Sequence, residues 1–167
     1  LFDFPRVDAL GIADACMAIT QPAAAEGVEF EQAALDEIIR VTGRYPYFLQ
    51  EWGYVTWNLA PTSKITQDIV LEAESEVIRR LDESFFRVRL ERMTPTEKKY
   101  MRSMAELGTG PQRSGEIARI YKAAVTTVAP IRSSLIAKGM VYSPAHGDTA
   151  FTVPLFDQFM RREIPIP

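Results

Sequence analysis

Few side chains in this sequence are equipped for covalent chemistry. It contains one histidine, His146, and one cysteine, Cys16. A Ser/His/Asp or Cys/His arrangement would have only His146 as its base, and no nucleophile or orienting acid can be placed beside it. A zinc site would have to be built almost wholly from carboxylates, which is a poor ligand set for that metal. No G-x-x-x-x-G-K-[ST] loop occurs to cradle phosphates, and no strand ends in paired acids for magnesium. The sequence therefore assigns no catalytic residue and no metal ligand. A single cysteine permits no internal disulfide, in keeping with a reducing, cytoplasmic location.

The stretch "TGRYPYFLQ", residues 42–50, is richer. A helix needs only a cap and a proline to begin, yet here a glycine, an arginine, a proline and two tyrosines crowd the start. Arg44 has a planar fork that reads phosphate oxygens bidentately. The plainer alternative is that Gly43 and Pro46 punctuate two helices while Tyr45 and Tyr47 pack inside.

The elements that hold these residues follow from spacing. The chain has 167 residues, 47% apolar and 25% charged, as a globular protein has. No apolar run approaches the ~18 residues of a membrane span, so no membrane partner is expected. "LFDFPRVDAL" lacks the marks of a signal peptide and an initiating methionine, which predicts a fragment of a longer polypeptide. Residues 1–7 read as the end of a strand. Leu10, Ala13 and Met17 then fall at helical spacing, with Pro22 expected to end the helix. "FEQAALDEIIRVTG" is amphipathic, with Phe30, Ala34, Ile38 and Val41 on one stripe and Gly43 as its left-handed terminator. A helix over about 45–59 follows, broken by Pro61, Thr62 and Ser63. Another runs from 66 towards 93, interrupted near 82–84.

The pattern then changes. Thr94, Pro95 and Glu97 predict a capping box for a helix closed by Gly108. "RSGEIARIY" reads as a short helix capped by Ser114. "VTTVAPIRSSLIAKG" reads as a third, capped near Thr126 and closed by Gly139. "MVYS" and "TAFTV", joined by "PAHGD", read as a hairpin, and "PLFDQFMRRE" as a last helix with Pro154 in its first turn. Three helices and a hairpin in this order predict a winged helix. The fold class is thus mainly α: an all-helical front, then a winged-helix domain over 94–167.

Charge divides the chain. Residues 1–80 hold six Lys and Arg against thirteen Asp and Glu, a net of −7; residues 81–167 hold thirteen against nine, a net of +4. A mildly basic back half admits double-stranded DNA without demanding it. In a helix-turn-helix reader the second helix of the motif meets the major groove. Here its outward side shows Thr127, Pro130, Ser133, Ser134, Ala137 and Lys138, without the Arg, Asn or Gln that give the commonest bidentate base contacts. Backbone binding stays open: Thr127, Ser133 and Ser134 offer hydroxyls, and Arg113, Arg119, Lys122 and Lys138 offer charge. Arg132 falls inside the apolar arc and is expected to find an acid or a carbonyl. Phe85, Phe86, Val88 and Leu90, interleaved with Arg87, Arg89 and Arg92, fit either a single-strand platform or a connector whose aromatics pack and whose arginines pair with the acidic front half. Trp52 and Trp57 read as packing residues.

"TGRYPYFLQEWG", "LDESFFRVRLERMTPTEKKYMRSMAELG" and "SLIAKGMVYSPAHGDTAFTVPLFDQFMRR" resemble the C-terminal half of bacterial AAA+/STAND-type ATPases. The resemblance implies a helical lid over 1–80, with 1–7 a remnant of the core's last strand, a connecting helix over 81–93 and the winged helix over 94–167. It implies an upstream P-loop core that binds ATP and magnesium, so that this fragment itself catalyses nothing while its parent is an ATPase. It puts Arg44, Tyr45 and Pro46 near the nucleotide, in the place of the family's G-x-P, with arginine at the usual glycine. The family's Met-His-Asp triplet would fall on Val153, Pro154 and Leu155, so its histidine contact is absent. Two functions compete: a nucleotide-driven switch element whose winged helix engages DNA, or a winged helix that serves as an autoinhibitory or protein-interaction module, self-association included. A transcription regulator with a helical dimerisation domain is a third possibility, disfavoured by the acidic front half.

Overall fold

The computed structural model describes residues 9–166; the strand expected at 1–7 lies outside them. The chain divides into two compact units, Leu1–Leu81 and Asp82–Pro167.

In the first unit, helices α1 (Ile12–Ala25), α2 (Gln32–Thr42), α3 (Pro46–Leu59) and α4 (Gln67–Arg80) pack around α3, which touches the other three. The core draws Ile19 from α1, Ile38 from α2, Phe48, Leu49 and Trp52 from α3, and Val70 and Val77 from α4. Gly43 takes the expected left-handed conformation after α2, at φ 56°. Two expectations fail on α1. Pro22 lies inside the helix, and the buried stripe is Ala15, Ile19 and Ala23, while Ala13 and Met17 face outward. An alanine-rich helix offers several stripes at helical spacing, and only its neighbours select one. Pro22 is tolerated because it sits on the exposed side. Two short strands, β1 (Glu29–Phe30) and β2 (Lys64–Ile65), pair in parallel, Phe30 opposite Ile65. Two residues are too few for a period-2 signal, so the sequence reading missed them.

In the second unit the chain leaves α4 through a π-helical turn, Leu81–Phe86, into α5 (Arg87–Glu91). The interruption expected near 82–84 falls inside this turn. Helix α6 (Pro95–Ala105) follows, then β3 (Gln112–Arg113), α7 (Ser114–Tyr121), α8 (Val125–Ala137), β4 (Val141–Tyr142), β5 (Asp148–Phe151) and α9 (Phe156–Glu163). The sheet has the order β3-β5-β4, antiparallel throughout, with Gln112 opposite Thr149 and Val141 opposite Phe151. Strand β3 was not foreseen, again for its length.

Phe86 is fully buried, its ring centroid 5.5 Å from that of Phe156 and 5.2 Å from that of Phe159. The aromatic connector thus packs on α9. Arg87, expected to pair with the acidic front half, pairs instead with Glu163, and Arg162 pairs with Asp82. Three helix starts also differ from expectation. Ser114 opens α7 rather than capping it, because its hydroxyl donates to the Gly147 carbonyl. Helix α8 starts from Ala124, two residues before Thr126, and so takes Pro130 into its exposed interior. Pro154 precedes α9, whose cap position is Leu155 at φ 62°.

Candidate functional site

Two places gather the residues singled out from the sequence. The first is the turn between α2 and α3. Gly43 and Arg44 are both left-handed, at φ 56° and 61°. Thr42 holds the turn: its hydroxyl donates to the Ile38 carbonyl at 2.7 Å and accepts from the Arg44 N–H at 3.2 Å. The Tyr45 N–H donates to the Thr42 carbonyl, and the Arg44 carbonyl accepts from the Leu10 N–H. Tyr45 stacks against Phe48 at 4.9 Å, and Pro46 takes the first helical position, exposed. Among the described residues the Arg44 guanidinium makes no hydrogen bond or ion pair.

An L-residue held left-handed costs ~1–2 kcal/mol, whereas glycine bears no such penalty. Arginine here is thus disfavoured by the backbone, and among the described residues its guanidinium has no partner to offset that. Arg44→Gly is expected to stabilise the first unit by about 1 kcal/mol. Urea unfolding followed by tryptophan emission reads this, because Trp52 and Trp57 both lie in that unit. A loss of stability would show that Arg44 anchors the turn.

The second place is built by α6, α7 and α8. Thr94 and Glu97 form the full capping box. Glu97 is only 3% exposed, yet its carboxylate collects more than a cap requires. One oxygen accepts from the Ser134 hydroxyl at 2.7 Å; the other accepts from the Thr94 N–H at 2.7 Å and the Lys138 ammonium at 2.7 Å. Burial pushes its pKa up, but the donors from Lys138, Thr94 and Ser134 together outweigh burial and hold it at about 2. Lys138 also donates to the Arg92 carbonyl.

The sequence-derived phosphate contacts therefore separate into two groups. Ser134 has committed its proton to Glu97, and Lys138 its charge. Arg113 lies 3.1 Å from Asp148 and donates to the His146 carbonyl. Ser133 donates back to the Ala129 carbonyl within its own helix. Arg119 on α7, Lys122 at its end and Thr127 in the first turn of α8 are exposed. Lys122 adopts φ 63°, a second basic residue where glycine would be unstrained. Arg132 meets the expectation of a structural arginine: Nε donates to the Thr149 hydroxyl at 2.7 Å and Nη2 to the Asp148 carbonyl at 2.8 Å, tying α8 to β5. The capping box is local in sequence, but the other partners of Glu97 are not, since Ser134 and Lys138 come 37 and 41 residues later. Among the described residues no cluster of His, Cys, Asp and Glu could hold a metal ion, and no helix is long and apolar enough to cross a membrane.

Residues 83–160 match a family described as a domain of unknown function, DUF8462. Among solved structures the chain is similar to a point mutant of Thermotoga maritima RuvB, with 18% identity, a TM-score of 0.43, and coverage of 95% of this chain and 51% of that one. It is also similar to the Thermotoga maritima RuvB Holliday junction branch migration motor, with 16% identity, a TM-score of 0.41, and coverage of 96% of this chain and 51% of that one. The chain spans about half the length of these structures. No curated protein matches it.

Proposed function

We propose that this chain is the lid and winged-helix portion of an AAA+/STAND-type ATPase, which takes part in nucleotide-dependent switching and holds duplex DNA by its phosphates. On this reading ATP and magnesium belong to an upstream P-loop core, and this portion catalyses nothing alone. Arg44, at the strained turn, is the side chain of this portion that would meet nucleotide phosphate, with Tyr45 and Pro46 beside it.

The observation that carries the DNA reading is the arrangement of the second unit. We read its three helices and hairpin, with β3 in the same sheet, as a winged helix, in which α8 would be the recognition helix. Arg119, Lys122 and Thr127 are exposed on α7, at its end and at the start of α8. The outward face of α8 carries small side chains, so contact is to the backbone and indifferent to sequence. A second reading, a protein-interaction or autoinhibitory winged helix, is favoured by the commitment of Ser134 and Lys138 to Glu97 and of Arg113 to Asp148.

Duplex titration against salt separates the two. With Arg119 and Lys122 on phosphates, log affinity should fall against log salt with a slope of about −2. Lys122→Gly should flatten that slope by about 1, because it removes a phosphate contact while glycine readily takes the left-handed conformation. Absence of binding at low salt selects the interaction module. Unaided ATP hydrolysis by the chain sinks the assignment altogether.

A further inference from the structure

Helices α1 and α3 leave a groove of about 430 Å³ within the first unit, a volume in the range of small-molecule sites. Its walls include Ile19 and Pro22 from α1 and Gly53, Tyr54 and Trp57 from α3, with Glu26 at the end of α1. Tyr54 is 57% and Trp57 39% exposed. Trp57 thus keeps part of its ring exposed, whereas Trp52 is buried.

Gly53 is the informative residue. It stands in the interior of α3, where glycine weakens a helix. Its backbone is not left-handed, and a Cβ built on it would meet no atom within 4 Å. Neither conformation nor close packing requires glycine here. The missing side chain leaves open space in the wall of the groove, beside Tyr54 and one turn before Trp57. One of those rings is already oriented: the Arg80 guanidinium lies 4.8 Å from the Tyr54 centroid and is held by Glu51 at 2.9 Å.

The polar groups set the chemistry. Glu26 is the one charged residue lining the groove, and its carboxylate has no ion pair or hydrogen bond among the described residues. Pro22 has no N–H to give the Ala18 carbonyl, and Ala18 lines the same groove. A carboxylate without a partner among the described residues, a carbonyl short of its helical donor and two aromatic rings together suit a cation with an apolar body. The surrounding segment, residues 1–80, is itself acidic, with six basic residues against thirteen acidic. We infer that this groove binds a small hydrophobic amine, its apolar body against Trp57 and Tyr54 and its ammonium beside Glu26.

The test uses the full chain, 4-phenylbutylamine, and its neutral counterpart 4-phenylbutanol. Tryptophan emission is the readout, with Trp57→Phe assigning the signal. The amine should give a saturable change and bind about tenfold more tightly than the alcohol. Glu26→Gln should reduce the amine to the affinity of the alcohol. Gly53→Leu should abolish binding of both while circular dichroism shows the helical fold intact; if that variant unfolds, Gly53→Ala, which should raise the melting temperature and weaken binding, carries the same test. No saturable binding, equal affinity for amine and alcohol, or undiminished binding by the glycine variants overturns the inference.

Discussion

Phe86→Ala should cost the second unit about 3–5 kcal/mol, the largest loss expected of any single substitution proposed here. The ring is fully buried and lies within 5.6 Å of three others, those of Phe85, Phe156 and Phe159. Truncation removes the transfer free energy of a phenyl group and leaves a cavity. Collapse around that cavity is restricted. Phe86 closes the π-helical turn on one side, and Phe156 and Phe159 sit on the rigid face of α9 on the other. Edge-to-face and tilted ring contacts add to the loss beyond area alone. Urea unfolding followed by circular dichroism measures it. Tryptophan emission does not, since both tryptophans belong to the first unit. The two signals should therefore part: the dichroism midpoint falls while the emission midpoint holds. A dichroism loss below ~1 kcal/mol would show that Phe86 is not packed as described.

Glu97→Gln should cost about 3 kcal/mol at neutral pH and remove a specific acid sensitivity. Glutamine keeps the shape of the capping box but not the charge on which Lys138 and Ser134 converge. The pKa of about 2 in the folded protein stands against an ordinary value of 4.5. A depressed carboxylate binds its proton less readily folded than unfolded. Its contribution is therefore complete above about pH 4.5 and drains away as pH falls towards 2. The wild-type chain should lose about 3 kcal/mol across that window beyond what the variant loses. Denaturant midpoints at neutral pH and near pH 3, compared between the two proteins, read the difference. Equal pH dependence would mean that Glu97 is not the buried acceptor of these donors. Lys138→Met should cost less than Glu97→Ala. Losing the donor leaves a carboxylate with Thr94 and Ser134 still on it, whereas losing the acceptor strands three donors at once.

These two residues also show what can be read from a sequence. The capping box at Thr94–Glu97 was legible because its four residues are contiguous and its hydrogen bonds are local. The order of helices and hairpin in the second unit was legible for the same reason: hydrophobic period, proline and glycine are local signals. So was the left-handed Gly43. Arg132 was recognisable as structural because a guanidinium inside an apolar arc must find acceptors, though nothing local named Thr149 and Asp148.

Tertiary packing decided the rest. It chose Ala15, Ile19 and Ala23 as the buried stripe of α1 over Ala13 and Met17, and it let Pro22 and Pro130 stay inside helices by placing both on exposed faces. It left Trp57 at a groove while burying Trp52, five positions earlier on the same helix. It gave Ser134 and Lys138 to Glu97, removing them from the surface the sequence had offered. Helix and turn signals act within a few residues and are written in the chain. The partners of a buried carboxylate, or the side of a helix that meets its neighbours, depend on atoms dozens of residues apart that only folding brings together.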